Sequence, residues 1–184
     1  MDAGPALDHG RTVADVPALD LPGDATLTAA ALRHAFGQYP TGVAVVTTRA
    51  EDGALRAMTI NSFASLSLDP PLIMWSLCAH SLDLPLYRPG QPFGISILAA
   101  GQTAIARHFA DGRLRHTPLP DAITPHASGI AVVRDAVGHL LCTVERTLPG
   151  GDHMMILGRV ARVETAPGDT LAFHRGRYAH LRTP

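Results

Sequence analysis

The sequence predicts a mainly β fold with a few short helices, folded as an antiparallel barrel, and three observations carry that expectation. Strand-length runs of apolar and β-branched residues recur along the chain, among them Val43-Ala44-Val45-Val46-Thr47-Thr48, Leu72 to Leu77 and Met154 to Val163. Turn residues separate them at close intervals, as in Glu51-Asp52-Gly53 and Gly150-Gly151. Helical stretches are few and short, and no Gly-rich strand-to-helix fingerprint of a Rossmann dinucleotide site is present.

In chain order, residues 1–25 mix Gly, Pro, Ala and Asp without a period and read as a flexible arm, leaving 26–184 as one domain. A cap at Thr26 or Thr28 opens a helix from Leu27 to Phe36, with Leu32, Ala35 and Phe36 as its apolar stripe and Gly37 closing it. After the turn Tyr39 to Gly42, strand Val43–Thr48 turns at Gly53 into Leu55–Thr59. Leu72 to Leu77 reads as a buried strand, a helix starts before Pro85, and Phe93 to Leu98 is the next strand. A short helix, Thr103 to Phe109, leads into a long loop between Ala110 and Ser128, a length usual for lids and binding loops. Ile130 to Val133 then turns at Asp135–Gly138 into His139–Glu145, and Met154 to Val163 runs back beside it.

At 184 residues the chain is long enough for a core without metal or disulfide staples. A net charge of -1 offers no broad basic field for nucleic acid or anionic membrane. All 15 basic residues are arginine, the better planar anion clamp. Cys78 and Cys142 fall in apolar runs and read as buried free thiols. The N-terminus, with Asp2, Asp8 and Asp15 and no apolar run, is not a signal peptide, and no stretch approaches the roughly 20 apolar residues that cross a bilayer, so the cytoplasm is the expected location.

The stretch with most chemical content is Ala57 to Pro71, which starts as a strand and ends as a turn. Its small side chains leave the main chain accessible, and Thr59, Asn61, Ser62, Ser65 and Ser67 add donors and acceptors suited to a flat polar ligand. In Gly150-Gly151-Asp152-His153 the glycines let the backbone turn tightly, and Asp152 is placed to orient the His153 ring. Neither the histidines of the long loop nor the cysteines show zinc-site spacing.

Ala57 to Pro71 with the strand after it, Gly151-Asp152-His153, and Phe173-His174-Arg175-Gly176-Arg177-Tyr178 together resemble, in order, the motifs of the flavin reductase-like family of FMN-binding split barrels. The resemblance runs from about Leu32 to Leu181. It implies a reductase component of a two-component monooxygenase: NADH or NADPH as reductant, FMN or FAD as acceptor, a homodimer with the flavin near the interface, and a separate oxygenase partner. It also implies flavin contacts at Met58, Thr59, Asn61, Ser62, Ala64 and Ser65, a flanking element containing Arg107, Phe109 and Ala110, and His153 beside the nicotinamide. Asp152, Arg175, Arg177 and Tyr178 flank the same pocket in this reading.

One run departs from the family pattern. Where arginines and a Ser or Thr are usual for the flavin phosphate, this chain has Cys78-Ala79-His80-Ser81-Leu82-Asp83. Ser81 keeps its character, while Asp83 brings a carboxylate that repels phosphate. Compensation is open between Ser81, the N–H groups starting a helix, His80, Arg88 and Arg107; alternatively the flavin is a diffusing substrate. Two other readings stand beside the reductase: a flavin carrier without turnover, and a biosynthetic enzyme reusing the fold.

Overall fold

The computed structural model describes residues 27–119 and 121–181, so the expected arm at 1–25 lies outside the described residues. Helix α1, Ala29–Gly37, opens where Thr28 caps it, its hydroxyl accepting the Ala31 N–H at 3.1 Å. β1 (Thr41–Gly42), β2 (Ala44–Arg49), β3 (Leu55–Ile60), β4 (Ala64–Leu68) and β5 (Pro71–Cys78) follow. Then come β6 (Pro92–Ile97), α2 (Thr103–Ala110), β7 (Ile123–Pro125) and β8 (Ala131–Val133). The long strands β9 (Gly138–Gly150) and β10 (His153–Thr165) precede β11 (Leu171–His174) and β12 (Arg177–His180). Among the described residues no helix is long and apolar enough to cross a membrane.

Seven strands form one antiparallel sheet in the order β3-β2-β6-β9-β10-β5-β4. β1, β11 and β12 make a second sheet, and β7 and β8 a third. Because side chains alternate along a strand, β2 feeds two cores at once. Ala44 and Val46 join Trp75, Phe93, Tyr87 and Ile156 on one face, while Val45, with Val43 just before the strand, joins Phe109, Ala106 and Leu171 on the other. The sheet curls far enough that Ile60 of β3 and Leu77 of β5, from its opposite ends, share the first core.

Several sequence expectations are corrected. The stripe on α1 is not buried: the helix has no buried residue, and Phe36 is 71% exposed. The helix before Pro85 is a single 3-10 turn, Leu84–Leu86, since proline cannot extend a helical ladder through its own position. β8 does not form a hairpin with β9 but pairs with β7. Its main-chain groups are taken by side chains of the large sheet: Ser96 Oγ accepts the Val133 N–H at 2.9 Å, and the Thr47 hydroxyl donates to the Ala131 carbonyl. Both cysteines are free, but only Cys142 is buried, where burial pushes its thiol up to about 12; Cys78 is exposed at the end of β5.

Ser96 also contacts His139 Nδ1 at 3.2 Å. Burial holds the His139 pKa below its ordinary 6.5, against a smaller upward pull from Glu164. The unfolded chain therefore takes up this proton before the folded one does. Stability from this group is complete above pH 6.5 and declines as pH falls through the interval down to its lowered folded value. Thermal melts across that interval are expected to show a shallower acid slope in His139→Gln than in the wild type; equal slopes contradict the assignment.

Candidate functional site

β3 and β4 are the two edges of the large sheet, and residues 61–63 carry the chain from one to the other. Two hydroxyls fix this crossing. Thr59 Oγ1 donates to the Ala106 carbonyl of α2 at 2.8 Å, and Ser62 Oγ accepts the Ser76 N–H of β5 at 3.1 Å. These hydroxyls brace the ribbon at two points. What the ribbon presents is the outer main-chain edge of β3, which pairs with β2 on its other side, and the exposed Asn61 amide.

Beside the ribbon lies a hollow of about 360 Å³, lined by Met58, Thr59, Asn61, Ser62, Ser76, Cys78, His80, Ser81, Arg115 and His153. It falls in the size range of small-molecule sites. A smaller one of about 170 Å³ shares Thr59, Ile60 and Asn61 with it and adds Val43, Ala110, Phe173 and Tyr178. Tyr178 in turn borders a third, of about 670 Å³, with Arg107, Arg177 and His180. The second thus shares the ribbon with the first and Tyr178 with the third. Another hollow, of about 370 Å³ near Arg49, contains only Arg88 of the candidate site residues read from the sequence, and that arginine is paired with Glu51 at 3.0 Å. The hollows along the ribbon are therefore the better candidate site.

His153 starts β10 at the tip of the β9–β10 hairpin, opposite Cys78 of β5. The loop between the two strands is Gly151-Asp152, with Gly151 at φ +70°, a conformation costly for other residues. His153 Nδ1 sits 2.8 Å from the Asp152 carboxylate, and that hydrogen bond holds the Asp152 carboxyl below its usual range. The Ala79 N–H donates to the Asp152 carbonyl at 2.9 Å, so the hairpin tip is latched to the 78–83 run.

Asp83 faces inward instead of toward the hollow. Buried to 5% exposure, it meets Arg115 at 3.4 Å, His116 at 3.0 Å and Arg56 at 3.8 Å. The expected like-charge conflict is resolved by two guanidiniums. Arg115, from the long loop, is the residue that sequence reasoning passed over. Its only signals were the basic run Arg113-Leu114-Arg115-His116 and the unexplained carboxylate at Asp83.

The sequence-predicted residues divide by position. Met58, Thr59, Asn61, Ser62, Ser81 and His153 come together around the first hollow, Ala110 and Tyr178 around the second, and Arg107 at the third. Arg107 lies 5.8 Å from the Tyr178 ring centre, a cation–π distance, and burial raises the Tyr178 phenol pKa, with Arg107 opposing. Ala64 and Ser65 are on the exposed edge strand β4, outside these hollows. Phe109 is 1% exposed in the second core, because the inward face of α2 needs an apolar residue there. Arg175 turns away: at φ +49° in the β11–β12 turn, it donates from Nε to Gln38 Oε1 at 2.8 Å and from its N–H to the Gly37 carbonyl at 2.9 Å, clasping α1.

Arg115 gives the first hollow a positively charged wall suited to an anion. Arg115 Nη1 has only the Met58 thioether, a weak acceptor, at 3.4 Å, and its buried Nε has no hydrogen-bond partner. A flavin, which joins a flat polar ring to a phosphate, fits that donor set and the open main chain opposite.

The chain is 36% identical over 156 residues to an NADH-dependent FAD reductase of Streptomyces globisporus, a match spanning 80% of this chain and 82% of that one. It is 36% identical over 149 residues to the NADH-dependent flavin reductase StyB of Pseudomonas fluorescens, spanning 79% and 86%. Its fold matches the Streptomyces globisporus C-1027 NADH:FAD oxidoreductase, solved in complex with NAD and FAD fragments, with a TM-score of 0.75 at 35% identity, covering 82% of this chain and 91% of that one. Residues 36–182 match the family described as flavin reductase like domain; with the motifs in order and the ribbon facing His153, the chain belongs to that family.

Proposed function

We propose that this chain is an NADH-dependent flavin reductase whose reduced flavin serves a separate oxygenase component. The observation that carries the reading is the first hollow, where the Thr59–Ser62 ribbon and His153 face one space. When bound there, the flavin supplies the redox chemistry, its N5 accepting hydride from the nicotinamide. The chain's task is alignment. The β3 edge and Asn61 orient the ring, and Thr59 and Ser62 hold that edge still through Ala106 and Ser76. Asp152 fixes the His153 ring against the reductant. Tyr178 and Arg107 extend the groove for the rest of a dinucleotide.

The curled sheet is one split barrel spanning 26–184, and the protein works in the cytoplasm. It is a homodimer that covers Phe36 and Tyr39, 71% and 76% exposed here. The acceptor is FMN or FAD, and the reductant is NADH, as for the NADH-dependent relatives.

Following the nicotinamide absorbance of purified protein with NADH and either FMN or FAD tests the activity. Rapid loss is expected; no acceleration with any pairing of flavin and nicotinamide removes the proposal, and flavin binding without turnover returns the carrier reading. In His153→Ala, kcat/KM for NADH is expected to fall about ten- to hundredfold while flavin affinity stays within about threefold. Equal losses in both would place His153 on the flavin side.

A further inference from the structure

We infer that Arg115, delivered by the long loop and positioned by the buried Asp83, is the contact for the phosphate of the bound flavin in this groove. The inference rests on the flavin reading and assigns it residues.

The other sources of positive charge are committed elsewhere. Arg88 is paired with Glu51, and Arg107 borders the third hollow beside Tyr178, with Ala110 and Tyr178 between it and the first. Three of the main-chain donors of the 78–83 run are also occupied: Ala79 N–H by Asp152, Ser81 N–H by the Cys78 carbonyl, and Asp83 N–H by Ser81 Oγ at 3.2 Å. Leu84 N–H is bonded to the Ser81 carbonyl, so the short 3-10 turn has no free N–H at that position. Among the described residues, Arg115 is the one arginine lining the first hollow. It shares that wall with His80 and with Ser81, whose hydroxyl accepts from Asp83 and keeps its own proton to donate.

Asp83 has a definite part in this arrangement. A long arginine on a loop loses rotamer freedom when it binds an anion, which weakens the contact. Here Asp83 Oδ2 lies 3.4 Å from Arg115 Nη2 and 3.0 Å from His116 Nε2, Oδ1 approaches Arg56, and the second arginine balances the carboxylate. The guanidinium is thus aimed before ligand arrives, and the cluster keeps a net positive charge toward the hollow. Asp83 is a positioning residue.

Equilibrium quenching of flavin fluorescence separates the phosphate from the ring, using FMN and riboflavin as probes. Arg115→Gln is expected to lower FMN affinity about ten- to hundredfold, the range for one charge-assisted contact, with riboflavin affinity within about twofold of wild type. Arg115→Lys keeps charge without the planar fork and is expected to restore part of the FMN preference. Asp83→Asn is expected to reduce that preference while riboflavin binding persists, which also reports that the groove is intact. Equal loss of both flavins in Arg115→Gln, or loss of neither, overturns the phosphate contact. An unchanged FMN preference in Asp83→Asn overturns the positioning role. Wild-type protein that binds neither flavin removes the flavin reading itself, and this inference with it.

Discussion

Asn61→Trp is expected to abolish flavin binding while leaving the fold intact. Asn61 is exposed, follows the last residue of β3, and lines both the first and second hollows. An indole there fills the space between ribbon and hairpin tip. Nothing in the core needs to move, since Asn61 belongs to neither buried cluster. Flavin affinity is expected to fall at least about hundredfold, roughly 2.8 kcal/mol, and NADH oxidation to fall with it. The melting temperature should stay within about 3 °C, as for surface changes generally. Fluorescence titration and a thermal melt check both halves; retained affinity would mean that flavin does not use this ribbon.

The second large effect is structural. A Cβ added at Gly158 of β10 would lie 2.5 Å from Phe93 Cζ and 3.0 Å from Ile73 Cδ1. Phe93 cannot swing aside: it is fully buried, with ring centres of Trp75 and Tyr87 at 6.1 Å and 6.3 Å. Gly158 also sits at a register shift between β9 and β10, where the ladder has already been disturbed. Gly158→Val is therefore expected to destabilise by about 3 kcal/mol, or roughly 6–12 °C in melting temperature, through overpacking. A variant melting within about 2 °C of wild type would show that this core yields far more readily than its packing implies.

What could be read from the sequence follows from what each signal encodes. The strands were legible because runs such as Val43 to Thr48 are buried on both faces and read as nearly continuous apolar and β-branched stretches. The hairpin tip was legible because Gly151 must take a positive φ just before His153. Pairing was harder: β8 looked like half of a β9 hairpin, and only the hydroxyls of Thr47 and Ser96, far away in sequence, redirect it. Phe109 and Arg175 stood within recognisable motifs, yet one supports the core and the other clasps α1. Asp83 was visible as an anomaly, but its partners Arg56, Arg115 and His116 lie 27, 32 and 33 residues away, beyond any local pattern.

The strand that serves two cores is paired along its length with β3, whose end forms one wall of the groove. Amides of β2 sit where opening requires both clusters to come apart, at the slow end of hydrogen exchange. The loop bearing Arg115 is built from turns, with Gly112, Arg113 and Leu114 exposed, at the fast end. A binding cleft with one permanent wall and one yielding wall can admit and release its cargo repeatedly while the rest of the molecule stays closed.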